Sequence, residues 1–551
     1  MTDFTNTTCA EAIRCPWYPW LSDHRGGRQA PQSHFYDIIR ATNQLAPQRF
    51  FNSQSPKLAS RSAQAKDTAR LIESGVSTIS RGVFQVDDLQ VEVGMMQREM
   101  TLAGPGWKAI TYSWFSDPLD SSGRLTVDAI RQPAFTKYVL TRAGLAVTSS
   151  AFLYFNPSYI REGVIDVEQL FTVTDCTAEV ESLQADMPDY LAYCRNLRDS
   201  TTEYLAPIGP RCCQPDRCDF YDYCWEPYAG QRTVFDIPYV PDHVRLAAVK
   251  AGVVSFADVR KAGYQLPGSD HPLTDKQRVY IDDVLDGGPP RLDKPGLRDF
   301  LATLRYPLYY LDVETFAEPV PPYDGLRPFQ QTPFQFSVHV QQAPGVQPTH
   351  EGFIAEEGCD PRWGLTSHLT QTIPADACVL VFNESVEKTR LTELAEWVAR
   401  GNPALADHLL AIRDNIIDLY TFLQSELYVD PARQGSNSVM QVLRDMFPDD
   451  SFLNSANFIS IHNSGEAANQ YVTLRKIKAA PTTGFDANTG HILSDDEFHQ
   501  HQALGKGQRE AFILDCRRRN GDRVRDELYA YCRMNTFAMV CILENLRQIA
   551  E

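Results

Sequence analysis

Two acidic side chains follow an apolar run in the second half of the chain. The run Pro307–Leu311 leads directly into Asp312 and Glu314, which are separated by one residue. Residues i and i+2 of a strand point to the same face, so we expect the two carboxylates to lie side by side. Adjacent carboxylates repel unless a cation separates them, and Mg²⁺ or Mn²⁺ prefers oxygen ligands. The spacing favours a divalent metal site; a solvated strand end is the alternative.

Further polar candidates lie beyond this strand. A second apolar strand at 379–383 is followed by Glu387 in a predicted helix. Near the end of the chain, Tyr531 and Asn535 are one turn apart in a predicted helix and therefore share a face. Asp418, in another apolar run, is either a supplementary ligand or a helix cap.

The order D-x-E, then N-x-x-x-acid, then Y-x-x-x-D resembles the DEDD exonucleases that carry a tyrosine. These are 3′–5′ exonucleases with a ribonuclease-H-like fold and two divalent ions. The resemblance implies that Asp312, Glu314 and Glu387 are metal ligands and that Tyr531 orients the attacking water. It places Asn535 at the position of the fourth metal ligand.

Asn535 departs from this pattern, which has aspartate at the same position. An amide keeps the shape of the carboxylate but lacks its charge, so we expect weaker binding of a divalent ion. The residue fits either an impaired natural enzyme or a deliberately substituted chain.

Longer segments resemble a bacterial family of unknown function in which a RecB-type iron–sulfur nuclease segment precedes a DEDD domain. The segments LDVETF and NESVEKTRL carry this second resemblance. It implies an α/β protein with a RecB-like (restriction-endonuclease-like) domain at 1–225, a helical connector at 226–305 and a ribonuclease-H-like DEDD domain at 306–551.

A cysteine cluster, RCCQPDRCDFYDYCW, contains Cys212, Cys213, Cys218 and Cys224. Without an export signal, such a cluster favours a metal or iron–sulfur site over disulfides. The spacing resembles the trailing cysteines of RecB-type nucleases, which implies a [4Fe–4S] cluster with Cys15 as the distant fourth ligand. Cys213 could replace Cys212, and zinc or plain buried thiols are the alternatives.

The RecB-type catalytic residues are missing when strand is aligned with strand. Gly94 stands where the family has aspartate, Ile110 and Tyr112 stand where it has glutamate and lysine, and Thr136 replaces its helix glutamine. Without acids there is no metal for phosphodiester cleavage, so the resemblance implies a degenerate nuclease domain used for binding or architecture.

Composition restricts the function classes. Hydrophobic residues make up 43% and charged residues 22%, which is typical of a soluble globular protein. The net charge of −18 argues against a general nucleic-acid coat protein but permits a nuclease that binds through its metal site. We expect no membrane span and a cytoplasmic location, since the sequence has neither a long apolar run nor a signal peptide.

Three functional hypotheses remain open at this point. The first is an exonuclease acting on DNA or RNA, with single-stranded ends as the expected substrate. The second is a catalytically inactive nucleic-acid-binding or scaffold protein, which Asn535 favours. The third is a hydrolase of small nucleotides on the same fold.

Overall fold

The computed structural model divides the chain into two compact units. One comprises Met1–Ala229 with Glu318–Gln330, and the other comprises Gly230–Ala317 with Gln331–Glu551. The structure describes residues 12, 15, 17–25, 41–47, 49, 65–101, 104–113, 118–200, 208–213, 218, 220–287, 291–420, 428–429, 438–447, 461, 463–479, 500, 504 and 506–551. Each unit contains a mixed sheet covered by helices, which confirms the α/β class.

A five-stranded sheet organises the first unit. Its strands, hydrogen-bonded in chain order, are β1 (Thr78–Val86), β2 (Leu89–Thr101), β3 (Gly104–Tyr112), β4 (Val147–Phe155) and β5 (Phe171–Asp175). The helices are α1 (Tyr18–His24), α2 (Ala65–Glu73), α3 (Val127–Arg142), α4 (Val167–Leu170), α5 (Thr177–Gln184), α6 (Met187–Arg198) and α7 (Tyr221–Trp225). Only β3 and β4 are parallel, and α3 makes the crossover that parallel strands require.

The crossover helix α3 covers one face of this sheet. Its cap, Thr126, accepts a hydrogen bond from the backbone N–H of Ala129. Phe135 and Val139 belong to the buried cluster that also contains Phe152 of β4. The opposite face has its own apolar cluster, which includes Met95, Ile110, Tyr112, Leu153 and Phe171. Both faces of the first sheet are therefore covered.

Short capped helices begin the second unit. They are α8 (Asp242–Lys250), α9 (Phe256–Lys261), α10 (Asp275–Asp286) and α11 (Lys294–Thr303), with β6 (Arg291–Leu292) before the last. Ser255 and Thr274 each form a capping box, with Asp258 and Gln277 respectively. These caps satisfy backbone groups that the short helices would otherwise leave open.

The second sheet has the strand order β11-β10-β7-β8-β9. Its strands are β7 (Leu308–Phe316), β8 (Thr332–Gln341), β9 (Thr349–Ile354), β10 (Cys378–Val381) and β11 (Ile416–Asp418). β7, β8 and β9 are antiparallel neighbours, whereas β10 is parallel to both β7 and β11. The separate strand β12 (Tyr428–Val429) pairs with β6.

Alternate side chains of β7 point to opposite faces of the sheet, and each face packs against a different layer of helices. The helices α12 (Pro361–Thr372), α13 (Glu384–Val398) and α14 (Pro403–Asp414) pack with Leu311 and Val313. On the other side Tyr310 packs with α15 (Val439–Met446) and with α17 (Lys506–Ala550), which follows α16 (Ser464–Ala479) and is 45 residues long. The even-numbered residues of β7 therefore face α17. Within the described ranges, no helix is both long and apolar enough to cross a membrane.

Candidate metal centres

β7 presents Asp312 and Glu314 on the face that α17 covers. In the pairing with β8, Asp312 lies opposite Ser337 and Glu314 lies opposite Gln335. Glu314 is only 2% exposed, and Asp312 is partly buried. The side-chain N–H of Gln335 donates to the backbone oxygen of Leu528 at 2.7 Å, which fixes α17 against the sheet. The two carboxylates therefore lie between the sheet and the long helix.

α17 adds three side chains to these carboxylates. The Nδ2 of Asn535 donates to Oδ2 of Asp312 at 3.1 Å, and Sγ of Cys532 lies 3.3 Å from the same oxygen. One ligand atom from each of Asp312, Glu314 and Cys532 lies within 4.8 Å of the other two. Tyr531 lies on the same helix, and burial and the charges of both carboxylates raise the pKa of its hydroxyl group. The arrangement brings together residues that are far apart in the sequence.

The third acid, Glu387, enters from the first turn of α13. The residue that caps the start of α13, Asn383, has a left-handed backbone (φ 80°). Its backbone N–H donates to Oδ1 of Asp418 at 2.9 Å. Oδ1 of Asp418 also accepts from the backbone N–H of Tyr420, so this carboxylate supports the local backbone. Glu387 is 3% exposed, and among the described residues its Oε2 finds no hydrogen-bond partner. A buried oxygen with an unused lone pair is suited to a cation.

Burial and mutual repulsion act together on the three acids. Desolvation raises the pKa of Asp312, whereas its hydrogen bonds from Asn535 and Cys532 lower it. The pKa values of Glu314 and Glu387 are raised well above the ordinary range, first by burial and then by the charge of Asp312. A dication among them would reverse this effect, because it favours the charged forms. The acids thus form a site whose electrostatics favour a bound cation.

Tyr531 and Ser464 border the same acids. Tyr531 is 7% exposed, and burial, followed by the charges of Glu314 and Asp312, raises its pKa, so the phenol stays neutral. Ser464, at the start of α16, lies close enough to Glu314 and Tyr531 to lower the pKa of both side chains, although burial raises both by more. A neutral phenol can donate a hydrogen bond to a water molecule near the acids.

Sequence reasoning missed two members of this site. Cys532 had a signal, since it stands next to Tyr531 and one turn before Asn535 on the helix. Ser464 had no signal, because only the folded chain brings α16 to β7.

The first unit brings the four predicted cysteines together. Cys15 lies three residues before α1, Cys212 lies in the 3₁₀ turn Pro210–Cys213, and Cys224 lies in α7. The backbone N–H of Cys218 donates to the oxygen of Cys212 at 2.7 Å. None of these four cysteines forms a disulfide with another described residue. The side chain of Cys213, the predicted substitute for Cys212, lies outside the described residues.

These thiols share one partly buried environment. Cys15, Cys218 and Cys224 pack against an aromatic cluster that contains Trp17, Tyr18, Trp20, Leu21 and Phe220. Burial raises the pKa of Cys15 to about 11 and that of Cys224 to about 12. The charges of the neighbouring cysteines, Cys212 included, contribute to both of these increases. The residues can therefore provide four sulfur ligands for one metal group.

The positions aligned with a RecB-type catalytic centre have a different environment. A side chain at Gly94 would place its Cβ 2.5 Å from the ring of Tyr112. Ile110 and Tyr112 are buried in an apolar cluster, and Thr136 shares a hydrogen bond of 3.2 Å with Thr111. The aromatic ring thus fills the space in front of Gly94.

Residues 309–438 match a family described as a domain of unknown function (DUF2779). The matched range agrees with the resemblance to a family of unknown function. It includes Asp312, Glu314 and Glu387, and it ends before Tyr531 and Cys532. The comparisons with curated proteins and with solved structures give no match.

Proposed function

We propose that residues 306–551 form a DEDD-type 3′–5′ exonuclease domain that cleaves DNA or RNA with divalent metal ions. The observation that carries this proposal is the pair Asp312 and Glu314, whose ligand atoms lie within 4.8 Å of each other, beside Glu387. Burial and the charges of Asp312 and Glu314 raise the pKa of Glu387, and its buried Oε2 has no hydrogen-bond partner among the described residues. Three carboxylates placed this closely are unfavourable in their charged forms unless a cation joins them. The antiparallel strands β7 to β9, continued by the parallel strands β10 and β11, support a ribonuclease-H-like fold.

Each residue of the site has a role in this proposal. Asp312, Glu314 and Glu387 hold Mg²⁺ or Mn²⁺, and Asn535 occupies the fourth position and orients Asp312 through its hydrogen bond. When bound, two divalent ions supply an activated water and stabilise the leaving oxygen of a phosphodiester. Tyr531 orients that water through its neutral hydroxyl group.

We further propose that the first unit is a degenerate RecB-like domain with a [4Fe–4S] cluster bound by Cys15, Cys212, Cys218 and Cys224. One tetrahedral zinc would hold its thiolates about 3.8 Å apart, given a Zn–S distance of about 2.3 Å. Within the described residues, no three of these cysteines have sulfur atoms within 4.8 Å of one another. A [4Fe–4S] cluster binds each thiolate on a separate iron, so it does not require the sulfur atoms to lie this close together.

A catalytically inactive nucleic-acid-binding protein is the second candidate function. Asn535 favours it, because the amide group adds no charge and directs its N–H toward Asp312. The apolar surroundings of Ile110 and Tyr112 agree with a first unit that binds without cleaving. This candidate predicts the same affinity for nucleic acid with and without a metal ion.

The test is cleavage of labelled single-stranded DNA and RNA by the full chain in Mn²⁺ and in chelator. We expect shortening from the 3′ end in Mn²⁺, loss of this activity in Asp312→Ala, and full activity in Asp407→Ala, which removes an exposed acid from α14. Cleavage that survives Asp312→Ala would place the active site elsewhere. Binding without cleavage, equal in metal and chelator, would favour the second candidate.

A further inference from the structure

The acidic site contains a thiol that the DEDD pattern does not include. Cys532 is fully buried, and its Sγ lies 3.3 Å from Oδ2 of Asp312. It forms one group with Asp312 and Glu314, with ligand atoms within 4.8 Å of one another. Oε2 of the neighbouring Glu387 is buried and has no hydrogen-bond partner among the described residues, and burial and the charge of Asp312 raise the pKa of this acid. This oxygen is independent evidence for a cation beside Asp312.

The separation of Cys532 from Asp312 fits two ligands of a single ion. A thiolate at about 2.3 Å and a carboxylate oxygen at about 2.1 Å from one tetrahedral ion lie about 3.6 Å apart, and about 3.1 Å apart at a right angle. The observed 3.3 Å lies between these values. Only small side-chain movements would bring both atoms onto a common ion.

Charge gives a second reason to place Cys532 among the ligands. Asp312, Glu314 and Glu387 provide three negative charges, and Asn535 provides none. Four negative charges balance two dications, and a thiolate at Cys532 supplies the missing one. The thiol and the amide lie on one face of α17, because they are three residues apart in the helix.

We propose that Cys532 is the fourth anionic ligand of this centre and that the site selects a borderline transition-metal dication, such as Zn²⁺ or Co²⁺, over Mg²⁺. The inference rests on the proposed metal site of the exonuclease domain. Thiolates bind borderline and soft ions, whereas Mg²⁺ prefers oxygen. As the sulfur–metal bond forms, the thiol proton passes to the buffer.

The experiment is a Co²⁺ titration of the full chain, followed by absorbance. Visible cobalt bands report binding, and near-ultraviolet thiolate-to-cobalt charge transfer reports a sulfur ligand. We expect Cys532→Ser to lose part of the charge-transfer band and to weaken Co²⁺ binding by at least about 10-fold, while Mg²⁺ binding changes little. Cys516→Ser, which alters another buried cysteine of α17, is the matched control and should leave the spectrum unchanged.

The cysteines of the first unit are the same in the wild type and in these variants. Their contribution therefore cancels when the spectrum of a variant is subtracted from that of the wild type. Cys532→Asp covers the case in which the serine variant fails to fold: it should still bind Co²⁺, without the charge-transfer component, and should bind Mg²⁺ more tightly. Binding that depends on Asp312 but shows no charge transfer from Cys532 would overturn the thiolate ligand and spare the proposed exonuclease site. Binding indifferent to Asp312→Ala would overturn both.

Discussion

Glu387 illustrates how one buried carboxyl group can serve binding at a cost in stability. Its pKa is raised by burial first and then by the charges of Asp312, Asp418 and Glu314. In the metal-free protein this group is therefore hard to ionise. A protein with no use for a cation would gain stability by replacing it with a neutral residue.

Replacing Glu387 by glutamine should stabilise the metal-free protein at alkaline pH. A carboxyl group whose folded pKa exceeds its unfolded value, about 4.3, stabilises the fold at low pH, and this stabilisation is lost as pH rises through the folded pKa. In chelator, Glu387→Gln should therefore melt a few degrees above the wild type at pH 8, with the difference shrinking toward pH 4. Glu396→Gln, an exposed acid on α13, serves as the control.

Thermal melts across this pH range, followed by circular dichroism, make the measurement. Added Mn²⁺ should stabilise the wild type more than Glu387→Gln, because the amide is a poorer ligand. An equal melting difference at every pH, with no effect of Mn²⁺, would contradict a role for Glu387 in metal binding.

Single residues also show how far the sequence could predict this site. The pair Asp312 and Glu314 could be predicted, because alternation in a strand follows from backbone geometry alone. Cys532 was missed although it lies next to Tyr531 and one turn before Asn535, because a lone cysteine in a helix is most often a buried core residue. Its proximity to Asp312 depends on how α17 crosses the sheet.

At the scale of elements, polar contacts fix the position of α17 on the second sheet. The hydroxyl of Thr536 hydrogen-bonds Ser337 at 2.9 Å and His339 at 2.8 Å, joining α17 to β8. Ser337 and Thr536 are 199 residues apart. Strand and helix periodicity predicted the elements, but contacts between partners so distant in the sequence are properties of the folded chain. The α/β class was therefore predictable from the sequence, whereas the contacts between α17 and β8 were not.

The β2–β3 pair permits a prediction for the first unit. Gly94→Ala would place a Cβ 2.5 Å from the buried ring of Tyr112. Overpacking of this kind costs about 1–3 kcal/mol, so the free energy of unfolding should fall by that amount. Denaturant unfolding of Gly94→Ala, of Tyr112→Ala and of the double variant makes the measurement.

The double variant distinguishes a steric effect from a general loss of strand stability. If the ring of Tyr112 excludes a side chain at position 94, Gly94→Ala should cost much less once that ring is removed. Equal costs in both backgrounds would show that the ring does not fill this space. It would then not explain why the aligned RecB-type position lacks an aspartate.

For the whole molecule, the cysteines connect distant parts of one unit. Cys15 lies near the amino terminus, whereas Cys212, Cys218 and Cys224 lie near the end of the first unit. A group that binds all four closes a long loop, which reduces the entropy of the unfolded chain. The proposed cluster would therefore support the first unit even though the RecB-type catalytic residues are absent.

Cys218→Ser should remove the proposed cluster. Anaerobically purified protein should be brown, with broad absorbance near about 400 nm that the variant lacks, and the melting temperature should fall. Cys359→Ser, which changes an exposed cysteine of the second unit, should alter neither property. Stoichiometric zinc with no iron in the wild type would contradict the iron assignment and leave the four-cysteine site standing.

Asn535→Asp tests most directly whether the acids of the second unit support cleavage of nucleic acid from its 3′ end. The measurement is the rate at which a 5′-labelled single-stranded oligonucleotide shortens in Mg²⁺. A carboxylate at position 535 adds the hard ligand that Mg²⁺ prefers, so the variant should produce a descending ladder orders of magnitude faster than the wild type. Tyr531→Phe in that background should slow cleavage without weakening metal binding. A variant that is no faster than the wild type and yields no ladder in Mg²⁺ would contradict the exonuclease.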